Sequence, residues 1–139
     1  MASVKGVNFT NITADPIVNA DSGEWSGKLR VQYDTFEASS LASGSDISVA
    51  RLPSGAKVYD VAIHHDALGS GGTLAVGDSA DADRYITATA AANAGVISMH
   101  NDGAIGGVGF EQTAETDILI TTGGAAATGT IKCMVFYVV

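Results

Sequence analysis

The chain has 139 residues, 15 acidic against 7 basic side chains, a formal charge of -8 and a single cysteine. That length supports one domain, able to bury roughly two-thirds of its extended-chain surface without a covalent staple. The charge argues against nucleic acid and anionic membranes as partners, because no cluster of Lys or Arg could neutralise phosphates, and the lone Cys133 excludes an intrachain disulfide.

The apolar fraction is 46%, but 22 of those residues are Ala, and 17 further residues are Gly. The large core-forming residues are led by 13 Val and 10 Ile against 6 Leu, an inventory that favours strands. Of the acids, 11 are Asp, which suits turns better than helices. No stretch approaches the ~20 apolar residues of a membrane helix. The segment MASVKGVNFTN lacks the apolar run of a signal peptide, so the glycan-acceptor patterns at Asn8 and Asn11 are read as chance matches.

Residues 1–27 lack sustained periodicity, with apolar residues placed singly at Val7, Phe9, Ile12, Ile17 and Val18. They are read as an extended arm for docking, or as a strand covering the domain edge. A domain over 28–139 follows. From Lys28, the residues Leu29, Val31 and Tyr33 alternate with polar ones, which predicts a half-buried strand; Phe36 breaks the phase. Glu37 to Asp46 reads as a loop, and Ile47 to Leu52 as a strand closed by the Pro53-Ser54-Gly55 turn. Lys57 to His65 is the strongest strand, with Tyr59, Val61, Ile63 and His65 on one face. Thr73 to Val76 is a short strand, followed by an acidic loop from Asp78 to Asp83 and the segment Arg84 to Thr87. The alanine-rich Thr89 to Ala94 is the one helix candidate. Val96 to Met99 and Thr116 to Thr121 read as strands, the latter through Ile118 and Ile120. The last strand, Thr130 to Val139, is apolar on both faces in its far half.

About eight short strands separated by turns, with no amphipathic helices between them, predict an all-β antiparallel β-sandwich, with a jelly roll as the favoured form. Met134, Phe136 and Val138 are expected to form either an intersheet face or a dimer face.

No catalytic constellation emerges. His64-His65-Asp66 is the most enzyme-like cluster, but adjacent strand residues point to opposite faces, and only His100 remains as a third imidazole. Asp78, Asp81 and Asp83 could gather around a weak cation site, although the helix-loop-helix calcium spacing is absent and a solvated turn explains them as well. The glycines of 69–72 and 103–109 lack the lysine and the strand-helix frame of a phosphate loop. Cys133 lies among apolar neighbours, as a buried thiol would. Trp25 is either a docking anchor or a cap on the core. The expectation is a binding protein without catalytic residues, cofactor or resident metal.

The block KLRVQYDTFEASSLASGSDISVARLPSGAKVYDVAIHHDALGSGGTLAVGDSADADRYITA carries a family likeness. Its Tyr33-Asp34 pair, Leu52-Pro53-Ser54-Gly55-Ala56-Lys57, the His64-His65-Asp66 turn and Val76-Gly77-Asp78 with Asp83-Arg84-Tyr85 resemble small capsid cement or decoration proteins of tailed, short-tailed bacteriophages with an HK97-type shell. The resemblance covers residues 28–87 and, loosely, the C-terminal strands. It implies a jelly-roll virion protein, made in the bacterial cytoplasm, that binds the outside of the head, bridges neighbouring major capsid proteins and resists internal DNA pressure. It further implies a homo-oligomer, a dimer before a trimer, with Val7, Phe9, Ile12 and Trp25 as the shell contacts. Other virion roles (head fibre base, tail or head-completion component) and a carbohydrate-binding module are the competing readings.

Overall fold

The computed structural model describes residues 2–103 and 105–139. Eight main strands pair into two sheets, and every pairing is antiparallel. In chain order they are β1 (Arg30–Leu41), β2 (Asp46–Leu52), β3 (Lys57–His65), β4 (Thr73–Asp78), β5 (Asp81–Ala90), β6 (Gly95–Ser98), β8 (Thr116–Gly123) and β9 (Ala127–Val138). A two-residue strand, β7 (Phe110–Glu111), pairs with the start of β3. The first sheet runs β1-β9-β3-β6 and the second β2-β8-β4-β5. That order is the double Greek key of a jelly roll, so the expected sandwich is the observed one. Two short helices, α1 (Val7–Ile12) and α2 (Met99–Asp102), lie outside the sheets.

The core lies between the sheets and follows the period-two rule. From β9 it takes Ile131, Cys133, Val135 and Tyr137, and from β8 Ile118 and Ile120. Leu74 and Val76 of β4 and Tyr85 and Ile86 of β5 complete the far side. Two of the bulges change which residues of β3 and β2 face the core. Between Val58 and Asp60 the register of β3 slips against β9, so Val58 joins Val61 and Ile63 inside while Tyr59 leaves the face it was expected to share with them. A slip between Ser48 and Ala50 likewise lets Ile47, Val49 and Leu52 all reach the core. The buried Tyr85 hydroxyl accepts a hydrogen bond from Gln112 Nε2 at 2.6 Å, and the Gln112 backbone pairs with Gly55 and Ala56. The polar groups at this end of the core are therefore satisfied.

Four sequence expectations are corrected. The arm is not wholly extended, because Val7–Ile12 forms a single helical turn and a half. Glu37 to Leu41 continues β1 instead of opening a loop. The alanine-rich Thr89 to Ala94 is no helix: Thr89 and Ala90 pair with Leu74 and Thr73, and tertiary pairing overrides alanine's propensity. In β1 the inward face is Gln32, Phe36 and Ala38, so Leu29, Val31 and Tyr33 face solvent. Phe36 did not break the pattern; it marked the buried phase.

Gly77 of β4 sits where a Cβ would collide with the backbone of Asp81 and Ala82. Gly77→Ala should therefore destabilise the domain by about 3 kcal/mol through forced displacement of β5. A urea melt with unchanged midpoint would contradict this close packing.

Candidate binding surfaces

The chain ahead of β1 returns to the domain through one lysine. Lys57 opens β3 opposite Val138 of β9, and its side chain is only 8% exposed. Its ammonium lies 2.8 Å from Glu24 Oε1, 3.3 Å from Asp21 Oδ2 and 3.6 Å from Glu111 Oε2. A buried ammonium with one partner removed would be costly, so the three carboxylates are what permit this burial. The Glu24 carboxylate, helped by Asp21, outweighs burial, which pushes the Lys57 pKa down, and holds it above its ordinary value.

The segment around Gly23 is folded over this lysine. The Gly23 amide donates to Asp21 Oδ1 at 2.7 Å, and the Gly23 carbonyl accepts from the Tyr59 hydroxyl at 3.1 Å. Glu24 also accepts from Asn8 Nδ2 at 2.8 Å, which ties α1 to the same cluster. The Gly23 amide, then Lys57, holds the Asp21 carboxyl below its usual range; Lys57, then Asn8, does the same for Glu24.

The four arm residues singled out above do not converge on the core. No residue of α1 is buried; Val7 and Phe9 are exposed and Ile12 is half-buried. Lys5 places its ammonium 5.6 Å from the Phe9 ring centroid. Trp25 remains 43% exposed beside the Lys57 cluster. Val4, Ile17 and Val18 are exposed as well, so the arm presents apolar side chains that the domain does not cover.

A second apolar surface lies on the outer face of the first sheet. Register places Val31 opposite Phe136 and Tyr33 opposite Met134. Phe136 and Met134 are half-buried, while Val31 and Tyr33 are 55% and 58% exposed. Val138 is on this same face but lies beneath Gly23, and it is buried. Met134, Phe136 and Val138 thus point away from the intersheet core, which β9 fills with its odd-numbered residues. The contribution of Leu29, Val31 and Tyr33 was missed because alternation alone does not say which face is inside.

The chemical candidates are dispersed. Asp78 is buried and turned toward Arg84, whose Nε lies 2.8 Å from Oδ2; Oδ1 accepts the amides of Ala80 and Asp81. Burial pushes its pKa up, but the Arg84 hydrogen bond and these amides outweigh that and leave it lowered. Arg84 in turn stacks 3.9 Å from the Phe110 ring centroid. Asp81 and Asp83 sit in the outgoing strand, and a hydrogen bond with Asp81 raises the Asp83 pKa. His65 is buried with Nδ1 2.8 Å from the Asp66 carbonyl oxygen, His64 is exposed on the other face, and His100 pairs with Asp60 at 3.2 Å. Among the described residues, no three His, Cys, Asp or Glu side chains converge as a metal site would require. Burial, then Asp34, pushes the Cys133 thiol up to about 12, so it carries no thiolate at neutral pH.

No protein-family model and no curated protein sequence matches the chain. Solved structures do. A chain of the cyanophage Pam1 capsid asymmetric unit is similar at a TM-score of 0.66 and 26% identity, over 81% of this chain and 86% of that one. A chain of the Ralstonia phage GP4 capsid is similar at 0.63 and 19% identity, over 81% and 84%. One from the acid-stable capsid of Helicobacter pylori bacteriophage KHP30 is similar at 0.56 and 13% identity, over 81% and 90%. The latter two likenesses concern the fold. The jelly roll described above is thus one that phage capsids contain.

Asp21 and Glu24 have pKa values below those of the unfolded chain, so their stabilisation is present above about pH 4 and lost as pH falls through the depressed values. Acid titration should free the arm, read as a change in Trp25 emission with a midpoint below about pH 4. Lys57→Met should free it already at neutral pH, read as faster proteolysis ahead of Lys28. For the acidic turn, added calcium should leave the thermal midpoint unchanged, since Arg84 already occupies Asp78; a rise in midpoint with calcium would show that the three aspartates rearrange around the ion.

Proposed function

We propose that this protein is a structural component of a phage virion that binds the outside of the capsid shell and cements neighbouring major capsid proteins. The observation that carries the reading is the likeness to a chain of the cyanophage Pam1 capsid, which spans most of both chains at 26% identity. The binding surfaces fit such a role. An arm over residues 1–27 with uncovered apolar side chains can reach across a junction between capsomers, while the domain over 28–139 keeps its own core. Val7, Phe9, Ile12 and Trp25 would insert into the shell. The role is mechanical and needs no catalytic residue, cofactor or bound metal.

The energetics follow from repetition. Each arm supplies a few apolar anchors, and burying one such side chain contributes about 1.5–3 kcal/mol. Repeated contacts on a fixed lattice add resistance to internal pressure without tight pairwise affinity. The net charge of -8 disfavours contact with packaged DNA and suits the outer surface.

Purified protein mixed with expanded, undecorated heads should co-sediment at high copy number, and cryo-electron microscopy should find it outside the shell. Removing residues 2–20 should leave a folded domain that no longer binds. Full occupancy by the truncated protein would rule out the arm as the anchor. A few copies confined to a vertex would instead indicate a head-completion or fibre-base role.

A further inference from the structure

β1 and β2 are edge strands of different sheets, and between them lies an open groove of about 580 Å³. That volume is within the range of small-molecule sites, about 300–1,000 Å³. Part of its wall is fixed before any ligand arrives. Gln32 of β1 is hydrogen-bonded at both ends of its amide to the Arg51 backbone of β2, and Asp117 of β8 grips the Arg51 guanidinium in two prongs. A wall already ordered spares a ligand that cost. Other polar groups lining the groove are unused. Among the described residues, the hydroxyls of Tyr33 and Ser48 make no hydrogen bond, and Arg51 Nη1 has only Glu115 near it, at 3.8 Å. Asp34 takes the Thr35 amide on Oδ1 at 2.8 Å and leaves Oδ2 without a partner. The Tyr33 side of the groove also carries an aromatic ring in a residue that is 58% exposed.

We propose that this groove binds a neutral oligosaccharide. The free groups select that chemistry by exclusion and by fit. Anions are disfavoured, because the Arg51 charge is already matched by Asp117 and Asp34 adds a negative charge beside it. The net charge of -8 acts in the same direction. A cationic ligand carries donors only, and it would meet the donors and the positive charge of Arg51. A sugar hydroxyl both donates and accepts, so one ligand can satisfy both kinds of group. In the bound state, Asp34 Oδ2 accepts from a hydroxyl, while Arg51 Nη1 donates to one and the Ser48 hydroxyl does either. The face of a sugar ring is lined by C–H groups, which lie well on the negative face of an aromatic ring. Tyr33 supplies that ring and is the specificity-determining contact. No residue of the arm lines the groove, so the site stands apart from shell binding.

The purified full chain, isotopically labelled, is titrated with neutral glucan, galactan and mannan oligosaccharides, and with oligogalacturonate as the acidic counterpart. At least one neutral sugar should bind with a dissociation constant of about a millimolar or tighter. It should shift the amide resonances of residues 32–34 and 48–51, and oligogalacturonate should not. Tyr33→Ala should weaken binding about tenfold, whereas Tyr33→Phe, which keeps the ring, should retain most of it. Asp34→Ala should weaken it as well. Thermal melts establish that each variant folds, and if Tyr33→Ala does not, Asp34→Ala decides. No shift with any neutral sugar, shifts confined to other residues, tighter binding of oligogalacturonate, or affinity unchanged in folded Tyr33→Ala would overturn the assignment.

Discussion

β9 is hydrogen-bonded to β1 on one side and to β3 on the other, and its alternation allows one register in which Ile131, Cys133, Val135 and Tyr137 all reach the core. A slip by one residue would exchange that set for Lys132, Met134 and Phe136, and would place an ammonium between the sheets. Everything on the outer face follows from this register. It puts Phe136 beside Val31, Met134 beside Tyr33 and Val138 beside Lys57. The apolar outer strip and the attachment point of the arm are therefore two ends of one strand's exposed side.

The charged contacts differ widely in weight. Arg51 makes a two-pronged pair with Asp117 at 2.6 and 2.9 Å, yet it is mostly solvent-exposed, and water screens such a pair so that it contributes little. Lys57 is another matter, because its ammonium is withdrawn from water and surrounded by carboxylates from the arm and from β7. Loss of a partner there leaves a charge in a poor solvent. The arm is consequently held by a few specific polar contacts at Asp21, Gly23 and Glu24, while the apolar residues ahead of them remain free for another surface.

The β architecture was legible because β-branched residues alternate clearly in β3, β8 and β9. The order of strands was not, since β1 pairs with β9 and β2 with β8 across most of the chain, and no local pattern encodes such distant neighbours. β1 was read with its faces exchanged. Leu29, Val31 and Tyr33 outnumber the apolar residues on the true inner face, where Phe36 and Ala38 suffice because Gln32 is occupied elsewhere. The alanines of Thr89 to Ala94 suggest a helix, but the small side chains of Ala90 and Ala91 also suit the end of β5. The lysine that anchors the arm left no mark in the sequence, because a lysine at a strand start ordinarily faces water. Its carboxylate partner Glu111 becomes a neighbour only once β3 and β7 are paired, and Asp21 and Glu24 only once the arm folds back over β3.

Gln32 extends toward the edge of the opposite sheet, where its Nε2 donates to the Arg51 carbonyl and its Oε1 accepts the Arg51 amide, at 2.8 and 2.9 Å. A side-chain amide has the donor and acceptor of a peptide unit, so it serves here as a one-residue counterfeit strand laid against β2. The molecule is made lopsided by it. Of two neighbouring sheet edges, one has its recognition groups plugged from within, and an incoming backbone would have to evict the plug to bind there. The other edge keeps its groups free and can be approached with the plug in place. A single glutamine thus closes the seam of the sandwich at Arg51 while leaving the neighbouring edge of β1 open.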